Sequence, residues 1–428
     1  MTDLLSMITK FYLESDRFNG YPFANLEQQL GMNFDDTFAF VRDSVSSGLL
    51  TVVFGDIHPN AHIKAFSDEP KDAILMKLDK KKITLSGNHH VCLYPTRLHL
   101  EQVINPDNYK GTPYTYEIAL GAGQLEFRYF DLVVLEFYRN DPRYYYWCDN
   151  INGRISIHDE HYRGNLMAEK DKILLKTFGF AYNKDMHRAV TTLVYYISKL
   201  SPEHQQVWKN RELSSMEYKP HPDYYRNNII GDWGENIPLC TAFLMELKII
   251  NQMCKAMNKP TLFNADFDGE DRPQHFSFLV RPTHKEYYDF VGLLDKMMSD
   301  NINKKFFEND ISFEDEQTRP DGKIVIKSKG TIRLLEEWVN KYFHPHDREP
   351  IDNMFKTFRR IRKERQRPAH AIDDNRFDQK YFIDQRQILQ EAYSAIKIIR
   401  LMFTIHPLVK IANIDVPRDL LEGKIWTC

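Results

Sequence analysis

Between residues 351 and 365 the apolar positions keep a helical rhythm. Ile351, Met354, Phe355, Phe358 and Ile361 recur at three- and four-residue intervals, the spacing of one helix face. Arg362 and Arg365 continue that spacing, so Arg365 extends a stripe that the residues before it bury. Arg359, Arg360 and Lys363 lie further round. Pro368 lacks a backbone donor and disfavours helix at Arg367, so regular helix is predicted to stop near Gln366. A second patterned segment runs from about 378 to 404, with Phe382, Leu389, Ala392, Ile396, Ile399 and Phe403 on one side. His370 then falls in or near the connection between two packed helices, within reach of Arg365.

Upstream, the first 66 residues carry helical patterns at 4–18, 23–30 and 34–48, an extended segment at 49–54, a turn at 56–60 and another strand at 62–66. Three helices and a two-stranded wing are the parts of a winged helix, a module that often reads a DNA groove with its third helix. Residues 33–42 are acidic and carry only Arg42 as a cation, poor material for gripping phosphates. A protein partner is therefore expected at this module, not DNA. Residues 67–164 read as a β-rich domain, with short β-branched or aromatic runs at 73–78, 82–86, 91–94, 114–120, 125–127 and 132–137. Lys80, Lys81 and Lys82 are assigned to a hairpin turn, and Tyr144, Tyr145, Tyr146 and Trp147 to a strand packed on a core. Residues 165–276 are mixed and mainly helical, most clearly at 188–200 and 239–257. Residues 277–428 supply helices at 285–307 and 331–342, an irregular insertion at 312–328, and the two helices described above, as in a helical bundle. The fold class expected is multidomain α+β, in four parts.

Charge sharpens one region. The net charge is −3, yet between Met354 and His370 stand Lys356, Arg359, Arg360, Arg362, Lys363, Arg365 and Arg367 against the single acid Glu364. A local cationic surface with an imidazole at its end suits the holding of a phosphodiester and the movement of protons around it. At this point the chain resembles a family. Arg365-Gln-Arg-Pro-Ala-His370 is similar to the signature of the HEPN ribonucleases, an arginine, a polar residue and then a histidine after four to six intervening positions. Gln366 stands where that family most often has asparagine or aspartate. The resemblance covers about the last third of the chain and implies a small helical bundle with the motif at the end of one helix. It also implies a homodimer through the C-terminal helices, bringing two motifs together into one RNA-cleaving site.

The implied chemistry needs no cofactor and no metal, because the RNA 2′-hydroxyl is its own nucleophile. His370 would take that proton or give one to the departing 5′-oxygen, with its pKa lowered by the nearby arginines. Arg365 would hold the phosphate oxygens as charge builds, and Gln366 would orient the imidazole. Arg359, Arg360, Arg362, Lys363 and Arg367 would bind the RNA backbone. The products expected from the resemblance are a 2′,3′-cyclic phosphate and a 5′-hydroxyl, as in a defence or toxin effector. The alternative of another class is a non-catalytic RNA- or protein-binding adaptor with a winged helix.

Composition bounds the rest. A chain of 428 residues with 42% hydrophobic and 13% aromatic content has ample material for packed cores. Five scattered cysteines without a Cys-x-x-Cys pair suit a reducing cytoplasm, and no apolar run approaches the ~18 residues of a membrane span. No phosphate-binding glycine loop and no Gly-x-Ser-x-Gly elbow occurs. Asp232 with Glu246 and Lys248 mimics the spacing of magnesium-dependent nucleases, but on a helical pattern where that motif needs a strand. His89, His90 and Cys92, or His344 and His346, lack a second ligand pair at zinc-like spacing.

Overall fold

Asn33 opens the best-capped helix of the N-terminal region: its side chain accepts from the Asp36 amide, and Asp35 and Asp36 sit at the positive end of the helix dipole. The computed structural model describes residues 2–30, 33–163, 167–232, 236–267, 271–318, 324–366 and 374–427. It is mixed α+β and divides into two units, residues 1–145 with 154–231, and residues 146–153 with 232–428.

The first unit begins α1 (Thr2–Glu14), β1 (Tyr21–Pro22), α2 (Phe23–Leu30), α3 (Phe34–Ser46) and β2 (Leu50–Val53). β2 pairs antiparallel with β3 (Cys92–Pro95), which also pairs with β1, giving the order β1-β3-β2. The strand expected at 62–66 does not form. Its backbone serves another segment instead, with the Lys64 and Ala65 carbonyls accepting from the Gln124 and Leu125 amides at 2.7 and 2.8 Å. The strands expected at 73–78 and 82–86 are a single helix, α4 (Lys71–Leu85). Ile74, Leu78 and Leu85 share its buried face, so the three lysines lie within a helix and not in a turn. Lys82 pairs with Asp35 and Arg42 with Asp79, which ties α4 to α3. One core unites these elements through Ile8, Phe23, Val41, Leu50, Leu78 and Leu93.

Two more of the expected strands are helical. After α5 (Arg97–Val103), Pro113 opens α6 (Pro113–Ala119), since its missing N–H is an orphan at that position anyway. Residues 132–139 form a 3-10 turn capped by Asp131 and then α7 (Glu136–Arg139). The β structure lies later in the chain than expected. Its strands are β4 (Phe127–Phe130), β5 (Tyr144–Cys148), β6 (Asn152–Ile157), β7 (Leu174–Tyr182), β8 (Arg188–Leu193) and β9 (Glu212–Leu213), ordered β5-β6-β7-β8-β4-β9, with β10 (Lys219–Pro220) on β7. Residues 188–193 were expected to be helical. They pair instead with β7 and β4 on either side, which suits the run Ala-Val-Thr-Thr-Leu, buried throughout, and helix resumes only at α9 (Val194–Ser198). Short helices α8 (Asp159–Arg163), α10 (Pro202–Lys209) and α11 (Pro222–Tyr225) complete this unit.

The second unit is a helical bundle. α12 (Leu239–Ala256) and α15 (Glu349–Gln366) both pack on α16 (Lys380–Thr404), and α13 (His284–Asp295) packs on α15 and α16. α14 (Thr331–Tyr342) closes one side against α15. Within the insertion at 312–328, β12 (Glu314–Thr318) pairs antiparallel with β13 (Ile324–Ser328). β11 (Ile237–Pro238) pairs with β14 (Ile425–Trp426), and α17 (Pro407–Ala412) and α18 (Arg418–Glu422) lie between α16 and that strand in sequence. Phe243, Leu247, Phe290, Phe358, Ile388 and Ile396 belong to its single core. Inside that core Glu246 and Arg400, both nearly inaccessible, form an ion pair between α12 and α16.

Candidate functional site

α15 buries Ile351, Met354, Phe355, Phe358 and Ile361, as its periodicity predicts, and its described residues run to Gln366. The face that carries these residues leads Arg362 and Arg365 to the end of α13. There the backbone departs from α geometry. After Asp295 the chain makes one π turn, residues 296–300, in which the Asn301 amide reaches the Lys296 carbonyl at 2.9 Å. A turn closed five residues apart brings residues five apart onto one side. Asp295 and Asp300 therefore face the same neighbours, a pair of arginines one helical turn apart.

Four charges meet at this point. Arg365 Nη1 donates to Asp295 Oδ2 and Asp300 Oδ2, each at 2.7 Å. Arg362 Nε lies 2.9 Å from Asp295 Oδ2, and its Nη2 donates to Asp300 Oδ1 at 2.6 Å. The Asp295 side chain is wholly buried, whereas Arg365 is 34% exposed. The hydrogen bonds it donates to Asp295 and then Asp300 raise the Arg365 pKa further, so its charge is permanent. Both hydrogens of Nη1 are used in this way. Nε and Nη2 of Arg365 donate to none of the described residues.

The wider cationic surface differs from the expectation. Arg359 is paired with Glu336 and Arg360 with Glu364 and Glu391, so each of the four described arginines from 359 to 365 has a carboxylate partner. Lys363 is exposed and pairs with no acid among the described residues. A cleft of about 410 Å³ opens between the start of α14 and the end of α15, lined by Arg333, Glu336, Arg359, Arg362, Lys363 and Gln366 among others. Gln366 is exposed at its edge. Arg360 is not in its lining. Arg367 and His370 lie outside the described residues.

Asp295 and Asp300 were missed by sequence reasoning. The available signal was Asp295 itself, an acid amid the apolar residues Phe290, Val291, Leu294 and Met298, the counterpart of an arginine on an apolar stripe.

The other candidates do not assemble a centre. Glu246 is on a helix, as its periodicity predicts, and is held by Arg400, not by a metal-binding neighbour. Cys92 is buried in β3, and burial pushes its thiol up to about 12, away from the thiolate a metal needs. Among the described residues no group of three or more His, Cys, Asp or Glu side chains is placed to hold a metal ion. No described helix is long and apolar enough to cross a membrane. Compared with family models, with curated proteins and with solved structures, the chain matches none.

Proposed function

We propose that the chain is a metal-independent RNA endonuclease of the HEPN type, with Arg365 and His370 as its catalytic residues. The observation that carries this reading is the half-used guanidinium of Arg365. One nitrogen is anchored to Asp295 and Asp300, and two others donate to none of the described residues. A phosphodiester offers two non-bridging oxygens to such a fork, and a donor fixed beforehand stabilises developing charge without reorganising. His370 follows four residues after Gln366 in the connection between α15 and α16, and acts as base toward the 2′-hydroxyl or acid toward the 5′-oxygen. A second copy supplies the other proton-transfer group, which makes the working species a homodimer. The same reading gives the N-terminal module, residues 1–66, to a protein partner that restrains or releases the nuclease in the cytoplasm.

Incubating the purified full-length protein with single-stranded RNA, with and without EDTA, tests the proposal. Cleavage should survive chelation and leave 2′,3′-cyclic phosphate ends. His370→Ala should lower the rate by ~10²–10⁴, the usual range for a lost proton-transfer group. A His370→Ala protein that cuts as fast as the parent overturns the assignment. A second reading, the non-catalytic adaptor, has one observation in its favour: the arginines of α15 are neutralised by carboxylates, as in a structural helix. It predicts no cleavage by any version of the protein.

A further inference from the structure

We infer that the cleft between α14 and α15 is a subsite for the phosphate next to the one being cut, on single-stranded RNA and without regard to sequence; this rests on the nuclease reading above. Three observations carry it. First, the lining has four cations, Arg333, Arg359, Arg362 and Lys363, against one acid, Glu336. Arg359 is 54% exposed on one side of its pair with Glu336, and Arg333 equally so beside Asp315 and Glu337. Pairs this exposed are weak, and a phosphate competes for the same guanidinium hydrogens. Lys363 needs no such exchange.

Second, the cleft and Arg365 are parts of one network. Arg362 lines the cleft and shares Asp295 and Asp300 with Arg365. The Thr331 hydroxyl, on the opposite wall, donates to the Ser299 carbonyl inside the π turn at 2.7 Å. Both walls are thus fixed to the turn that holds Arg365, so a phosphate in the cleft has a set position relative to one at Arg365.

Third, the cleft has the size and chemistry for a backbone and not for a base. About 410 Å³ is near the lower end of ligand pockets, ~300–1,000 Å³, which suits a nucleotide-sized group and excludes a duplex. No aromatic ring is in its described lining, so there is no stacking platform to select or bind bases. The cations grouped together by sequence are accordingly divided. Arg359, Arg362 and Lys363 serve the cleft, and Arg360 is bonded to Glu364 and Glu391 away from it.

The test uses full-length protein carrying His370→Ala, so that RNA stays intact, and a fluorescein-labelled mixed-sequence single strand read by anisotropy over a salt series. Adding Arg359→Gln and Lys363→Gln together should weaken binding at least tenfold. The log–log salt slope should flatten by about 0.7, since the cleft holds one phosphate and each phosphate neutralised on a single strand contributes about 0.7. Lys356→Gln, an exposed cation of α15 outside the cleft, should change neither quantity. Double-variant binding with the slope of its parent overturns the subsite, as does an equal loss from Lys356→Gln. The two proposals fail separately. Unsubstituted protein that cuts RNA, while the cleft variant binds normally, removes the subsite alone. Cleft-dependent binding with unsubstituted protein that never cuts removes the nuclease reading and leaves the cleft as an RNA-binding surface.

Discussion

On the proposed reading Arg365 serves stability, through Asp295, and chemistry together. Removing Arg365 alone leaves Asp295 still bonded by Arg362, so Arg365→Ala should cost about 1 kcal/mol of stability, as for a partly exposed pair. The same change should reduce RNA cleavage by ~10²–10³, the usual penalty for a lost charge-stabilising donor. Removing both Arg362 and Arg365 leaves a wholly buried carboxylate uncompensated, and that should cost about 3–5 kcal/mol. Urea unfolding of the two variants, beside their cleavage rates, checks the separation; equal stability losses would refute it. Asp149 provides a pH test at the same scale. Burial raises its carboxyl to about 6, against the bonds it accepts from the Ile151 and Asn152 amides, with Arg272 also opposing. The folded group keeps its proton up to about pH 6, while the unfolded one, near 3.8, has already lost it. Folding is therefore unpenalised below pH 3.8, increasingly penalised between 3.8 and 6, and fully penalised above. At roughly 1.4 kcal/mol per pH unit, Asp149→Asn should gain about 3 kcal/mol at pH 7 and nothing at pH 3.5. Unfolding curves at the two pH values decide this.

Among the elements, α12 and α16 depend on the Glu246–Arg400 pair in their interface. Burial raises the Glu246 pKa while Arg400 opposes the rise, and Glu246 Oε1 has no hydrogen-bond partner among the described residues. An incompletely satisfied buried pair is costly to break and cheap to replace. Glu246→Gln should destabilise the bundle by about 3–5 kcal/mol because it strands the Arg400 charge, whereas Glu246→Met with Arg400→Met should recover most of that loss. Melting temperatures of the single and double variants measure the difference, and a double variant less stable than Glu246→Gln would contradict it. The element boundaries also show where local pattern succeeds. α15 and α16 are long amphipathic helices, so many positions vote for one period, and Pro368 bars continuation. α6 is short, α4 has only Ile74, Leu78 and Leu85 buried among many lysines, and both carry β-branched or aromatic residues in runs that either structure accommodates. β8 shows the reverse error: its strand state is set by β7 and β4, which flank it.

For the molecule as a whole the proposed chemistry requires two copies. Phe377 and Ile383, before and within the start of α16 and close in sequence to His370, are exposed apolar residues whose contact with water is unfavourable. The expectation is a homodimer through this part of the C-terminal helices, disrupted by Phe377→Asp with Ile383→Asp, with cleavage falling in parallel. Small-angle scattering at assay concentration distinguishes the states, and a fully active monomer would refute the two-motif site.

What the sequence determined by itself was local: the stripe of α15, the course of α16 and the anomaly of Arg365 on an apolar face. Each depends on side chains within a few turns of one another, so spacing suffices to reveal it. Only the tertiary structure decided what the arginines touch. Asp295 and Asp300 are 70 and 65 positions from Arg365, and a π turn, which no periodicity announces, puts them on one face. The same holds for β2, whose partner β3 lies beyond the whole of α4. Positive charge is legible along the chain, but whether it is free or neutralised depends on carboxylates that packing brings from elsewhere, because an ion pair is set by distance in space.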